Sequence, residues 1–231
     1  MMESQNNIIV LISVGFHYNN LLIKDFHYLR NKVKVVVFTD EVGKVQSKLG
    51  NKAEVLEYKS KVFKYFDKFF LPYHISKREK QPVAYLDIKR LKYVRKYNLF
   101  NFDNTKVDCL YSNGSWEGIP NASFLYNLDS AYFEKGYWNN ILEFIENKGV
   151  DINKVVPLLE RCFVIPYNTN FGKVIETLKE VQPLFEENSI LKKNAYSGIG
   201  NGEGLALAYS ILVNNYNNKT VDRLPSKSKL V

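Results

Sequence analysis

Cysteine is scarce in this chain, with Cys109 and Cys162 the only two among 231 residues. Two thiols cannot build a disulfide framework, and their spacing matches no metal-ligand pattern, which excludes a disulfide-stapled scaffold and a zinc module. Both sit in apolar runs and read as small buried hydrophobes in a reducing compartment. Histidine is equally sparse. His17, His27 and His74 have no Cys or carboxylate partners at the intervals zinc sites use. The phosphate-binding glycine motifs are also missing. Ser13-Val14-Gly15 carries one glycine, so it is neither a P-loop nor the Gly-x-Gly-x-x-Gly fingerprint of dinucleotide sites. A Gly-x-Ser-x-Gly elbow is absent, which argues against a serine hydrolase. No apolar run approaches the roughly 20 residues that span a bilayer, and the first residues lack the positive start of a signal peptide. The expectation is a soluble cytoplasmic protein.

What is present is ordinary in bulk and unusual in detail. Hydrophobic residues make up 45% and charged residues 24%, values of a folded globular chain long enough for one large domain. Aromatics are abundant, with 16 Tyr and 15 Phe, enough to build a core and still line a sugar or base pocket. The net charge of +8 suits phosphate-bearing partners such as a nucleotide, a nucleic acid or an anionic surface. The basic residues are spread through the chain, so no dedicated nucleic-acid arm stands out.

Taken in order, residues 8–12 (Ile-Ile-Val-Leu-Ile) read as a buried strand, and apolar positions 21, 22, 26 and 29 as a helical stripe. A second strand over 34–38 ends at Thr39-Asp40, and a weaker third covers 53–58. Aromatics at 3–4 residue spacing over 61–74 predict a helix that Pro72 should end or kink. A fourth strand, residues 83–86, delivers Asp87 at its C-terminal end, with Lys89 two residues on. Apolar stretches follow at 108–111 and 123–128, on either side of a turn-rich loop carrying Trp116. Helices are expected over 130–147, 153–159, 171–185 and 205–213, with a strand at 161–166. The glycine-dense stretch 198–204 precedes the last helix, far from a first strand–helix unit. It reads as a turn, which counts against a Rossmann dehydrogenase or a methyltransferase. Residues 214–231 form a polar, basic tail expected to be largely mobile. Alternating strands and helices point to an α/β fold with a parallel sheet.

An acid at the C-terminal end of a buried strand is a common way for an open α/β sheet to present chemistry; it is also what an ordinary strand followed by a solvated acid looks like. The order of elements tilts this balance. From residue 8 to residue 213 the chain resembles the nucleotide-sugar-dependent glycosyltransferases of the GT-A fold. Residues 8–16 look like the first strand, whose end contacts the nucleotide, and 35–40 are similar to a second strand ending in Thr-Asp. Residues 83–89 sit where the family carries its Asp-x-Asp strand. Residues 120–125 (Pro-Asn-Ala-Ser-Phe-Leu) resemble the stretch opening the acceptor half, with the Trp138 segment after it. Gly202-Glu203-Gly204 is similar to a late acidic motif.

The resemblance implies a single Rossmann-like GT-A domain over residues 1–213, with a central, mostly parallel mixed sheet flanked by helices. Its nucleotide-binding half would cover about 7–111 and its acceptor half about 112–213. Donor binding then falls to Ser13, Gly15, Thr39, Asp40, Asp87 and Lys89, and acceptor binding to Trp116 and Asn121. Glu203 is the first candidate general base, because a glycine-flanked acid has little packing reason to exist; Glu117 and Asp129 are weaker. Asp129 is also a natural helix cap. In the family, Asp-x-Asp holds a divalent cation (Mn or Mg) that bridges the donor diphosphate. Here the second carboxylate is replaced by Lys89. Asp87 then holds a cation with another acid's help, or Lys89 meets the diphosphate directly and metal dependence is weak or absent. The acceptor is a glycan or a hydroxymethylated base in DNA; the second would place the protein in a host cytoplasm, should the source be viral. A non-catalytic nucleotide or nucleic-acid module on the same fold, and another α/β transferase such as a methyltransferase, are the alternatives.

Overall fold

The computed structural model describes residues 7–29, 33–97, 110–112, 121–127, 138–158, 161–187, 202–216 and 221–223. The chain divides into two compact units. Unit 1 comprises Met1–Asn113, Arg161–Asn168 and Val221–Val231, and unit 2 comprises Gly114–Glu160 and Thr169–Thr220.

Unit 1 is an α/β layer structure around a seven-stranded sheet. The strands are β1 (Ile8–Ser13), β2 (Lys34–Thr39), β3 (Glu54–Glu57), β4 (Val83–Leu86), β5 (Leu110–Ser112), β6 (Cys162–Ile165) and β7 (Val221–Arg223). They lie in the order β3-β2-β1-β4-β6-β5-β7. β1 pairs in parallel with both β2 and β4, and β2 with β3. β6 runs antiparallel to both β4 and β5, and β7 is parallel to β5. The result is the mostly parallel mixed sheet flanked by helices that the sequence implied.

The runs of Ile and Val in β1 and β2 suit strands covered on both faces, and every residue of β1 is buried. One face is covered by α1 (Phe16–Asp25), α2 (Val42–Leu49) and a 3-10 helix over Ile88–Tyr97. There Ile9, Leu11, Val35, Val37, Ala84 and Leu86 pack with Leu22, Val45, Leu49 and Leu91. The other face carries α3 (Asp67–Glu79), where Phe69 meets Phe163 at 5.2 Å and Phe163 stacks on Tyr85 at 5.0 Å.

Pro72 does not end α3, which continues to Glu79. An interior proline costs a helix about 3 kcal/mol, but Phe69, Pro72 and Ile75 form the buried stripe by which α3 lies on the sheet. Packing outweighs the lost hydrogen bond. Two further differences have simple causes. α2 lies between the second and third strands where no helix is expected, because it buries only Val45 and Leu49 and its apolar stripe is thin. The basic tail contributes β7, whose backbone completes the sheet edge beside β5.

Unit 2 is helical. It holds a 3-10 helix over Ala122–Asn127, α4 (Asn139–Asn147), a 3-10 turn at Ile152–Lys154, α5 (Phe171–Glu187) and α6 (Glu203–Val213). The helix expected at 153–159 is only this turn, after which the chain is extended and Leu158 N–H donates to the Gly204 carbonyl at 3.2 Å. α6 is buried almost all round, and α5 packs against it.

Candidate functional site

β1, β2 and β4 are parallel, so Ser13, Thr39 and Leu86 all end at the same edge of the sheet. From β1 the chain moves outward to β2 and β3, then returns to the opposite side of β1 as β4. Strand order therefore reverses between β1 and β4. In open α/β sheets the crevice beyond the carboxyl ends at such a switch point is where ligands bind, because the flanking loops part there.

A compact polar cluster occupies the β1–β2 side. Gly15 leads into α1 with φ +88°, a conformation open to glycine and strained for other residues. Its N–H donates to Asp40 Oδ1 at 3.0 Å, and its carbonyl accepts the first helical bond, from Asn19 N–H. Asn19 is fully buried. Its Oδ1 accepts from the hydroxyls of Ser13 at 2.6 Å and Thr39 at 2.9 Å. Its Nδ2 donates to Asp40 Oδ1 at 3.0 Å and Glu41 Oε2 at 2.8 Å. Glu41 also receives Lys44 Nζ at 3.0 Å, and Lys61 Nζ reaches the Asp40 carbonyl at 3.4 Å. Phe16 is 71% exposed, with the Lys44 ammonium 4.3 Å above its ring.

These contacts set the charge state. Burial works to raise the Asp40 pKa, but hydrogen bonds from Gly15 N–H and the Asn19 amide, with the nearby Lys61 charge, outweigh it and hold the carboxyl below its ordinary value. Glu41 is held low chiefly by the Asn19 amide and then by Lys44.

On the β4 side, Asp87 N–H donates to the Arg161 carbonyl at 2.9 Å, fastening the strand end to the segment entering β6. Asp87 Oδ1 accepts from Lys89 N–H at 2.8 Å, an Asx turn that opens the 3-10 helix. The Lys89 ammonium lies 5.3 Å from the centre of the Tyr18 ring on α1. A hydrogen bond with Tyr18 raises the Lys89 pKa against the opposing effect of burial, so the side chain stays a cation at neutral pH.

Ser13, Gly15, Thr39, Asp40, Asp87 and Lys89, read from the sequence as donor-binding residues, thus all lie at one edge of the unit 1 sheet. Asn19, Glu41, Lys44 and Tyr18 join them without having been singled out. Asn121 and Glu203 belong to unit 2. Asn121 accepts from the Ser123 hydroxyl at 2.6 Å and starts the 3-10 helix after it. Glu203 is 1% exposed and opens α6. Trp116, Glu117 and Asp129 lie outside the described residues.

A divalent cation at Asp87 would find one carboxylate, already accepting a backbone N–H, with an ammonium two residues away. Among the described residues no group of three or more His, Cys, Asp or Glu comes together. This donor set does not fit a cation held by the described residues alone, since hard cations want several oxygens.

No protein-family model matches the chain, and no curated protein does. Among solved structures it is similar to the glycosyltransferase GlyE of Streptococcus pneumoniae TIGR4, at 11% identity and a TM-score of 0.40. That similarity covers 97% of this chain and 46% of the other, so the chain spans less than half of GlyE's length. Among the described residues no helix is long and apolar enough to cross a membrane.

Proposed function

We propose that this chain is a glycosyltransferase that moves a sugar from a nucleotide-sugar donor to an acceptor hydroxyl, with the donor seated at the switch point between β1 and β4. The observation that carries this reading is the placement of Asp40 and Glu41 just beyond β2 and of Lys89 just beyond β4, at the same edge of the two parallel strands that flank β1. A nucleotide sugar has matching halves. Its nucleoside offers hydroxyl and N–H donors to carboxylates, and its diphosphate offers negative charge to an ammonium. The resemblance of residues 35–40 and 83–89 to family strands supports the same assignment.

In this reading Lys89 faces the departing nucleoside diphosphate and stabilises the charge that builds up as the sugar leaves. Asp87 shapes the turn that carries Lys89 and is not required as a metal ligand. The acceptor hydroxyl needs a base if the reaction inverts, and Glu203, Glu117 and Asp129 are the candidates. The acceptor is a glycan or, as the +8 charge also allows, a hydroxymethylated base in DNA.

A thermal-shift screen of nucleotide sugars, with and without manganese, tests the assignment. One donor should stabilise the protein without the metal, by an amount that grows with the logarithm of its concentration above Kd. Stabilisation by S-adenosylmethionine alone would favour a methyltransferase. Donor binding without sugar transfer or donor hydrolysis would favour a non-catalytic module.

A further inference from the structure

We infer that Asn19 is the positioning residue of this site, a buried amide that fixes where the Asp40 and Glu41 carboxylates face the nucleoside end of a donor. The inference rests on the donor reading given above, and Asn19 belongs to none of the motifs that suggested that reading.

The side chain uses its hydrogen-bonding capacity in full. Ser13 and Thr39 are register partners on adjacent parallel strands, so their side chains share one face of the sheet, and both hydroxyls donate to Asn19 Oδ1. The two carboxylates take the amide nitrogen. This orientation has no alternative: ionised carboxylates only accept, so the Nδ2 group must face them, whereas hydroxyls can donate to the oxygen. One residue of α1 thereby locks the ends of β1 and β2 together and aims two adjacent acids. Ser13, Asn19 and Thr39 are each completely buried. A buried polar trio tolerates no loose member, so the arrangement is rigid before a ligand arrives. The charged groups facing the two acids are Lys44 of α2 and Lys61 of the segment after β3.

A purely structural asparagine would affect stability alone, whereas a positioning residue also governs ligand affinity and its pH profile. The test is calorimetric titration of wild type and Asn19→Asp with UDP-, GDP-, ADP- and CDP-sugars between pH 5 and 8, together with melting temperatures. The substitution keeps the shape, removes two N–H donors and adds a third negative charge. Binding should weaken about tenfold or more at neutral pH and partly recover as pH falls. A folded variant that binds within about twofold of wild type with an unchanged pH profile overturns the inference. Should Asn19→Asp fail to fold, the wild type alone decides. Its Asn19 side-chain N–H resonances should shift with the titration of Asp40 and Glu41, and resonances blind to that titration overturn the inference. Wild type that binds none of the four donors overturns the donor reading and this inference together; binding by wild type with an indifferent variant overturns only the inference.

Discussion

The Lys89 backbone N–H donates to Asp87 Oδ1 at 2.8 Å, so the acid and the main chain of the lysine are locked in one turn while the ammonium points away to Tyr18. The turn needs the Asp87 side chain and only the backbone of Lys89. Substituting Lys89 should leave the fold intact. Lys89→Ala is expected to lower kcat by about 10²–10³-fold with little change in melting temperature, the size of effect seen when one oxyanion donor is removed. Lys89→Asp recreates a pair of carboxylates and should give an enzyme whose residual activity depends on manganese. Steady-state kinetics with and without the metal checks both.

Acid stability follows from the Asn19 cluster. Asp40 and Glu41 have folded-state pKa values below their ordinary 3.8 and 4.5. A lowered folded pKa contributes stability that is complete above the unfolded value and is lost as pH falls through the folded one. The melting temperature should therefore be insensitive to these two groups above about pH 5 and fall progressively below it. In Asn19→Leu the whole curve should sit lower, because two buried hydroxyls lose a shared acceptor at about 1–3 kcal/mol, and its acid limb should be shallower. Differential scanning calorimetry at a series of pH values reads both changes.

Gly202 is required twice over. Its φ is +68°, and an added Cβ would lie 2.8 Å from Trp138 Cζ3, 2.9 Å from Trp138 Cη2 and 3.0 Å from Phe185 Cδ1. Gly149 has φ +75° with nothing within 4 Å of such an atom. Gly202→Ala should cost about 2–4 kcal/mol, combining backbone strain with overpacking, whereas Gly149→Ala should cost about 1–2 kcal/mol from strain alone. Equal losses in chemical denaturation would mean that the indole is not packed against Gly202.

Glu203 separates two roles by magnitude. As a side chain packed at the head of α6 it bears on stability alone, whereas a general base contributes about 10²–10⁴ in rate. Its burial favours the first, and Glu203→Gln is expected to lower the melting temperature slightly while transfer stays within about tenfold of wild type. A loss of roughly 10²-fold or more at an unchanged melting temperature would instead identify the base.

The sheet was legible because doubly covered strands announce themselves as unbroken β-branched runs, as in Ile8–Ser13 and Lys34–Thr39. Lys89 was legible because its relation to Asp87 is local. Asn19 was not. Its meaning comes from hydroxyls and carboxylates on two other elements that only the parallel register of β1 and β2 brings to it. α2 stayed hidden for want of apolar residues, and α3 runs on past Pro72 because packing on the sheet outweighs a local rule. The start of α6 at Glu203 was not legible either: a glycine on each side reads as a loop, yet the helix begins there.

In the proposed function a nucleotide sugar binds at the β1–β4 switch point through Lys89 with no need of a divalent cation. Isothermal titration of wild type and Lys89→Ala with the best donor, in EDTA and in manganese, tests it most directly. Wild type should bind with similar affinity in both buffers, and Lys89→Ala at least about tenfold more weakly. Wild-type binding that vanishes in EDTA, or an alanine variant that binds as well as wild type, would contradict it.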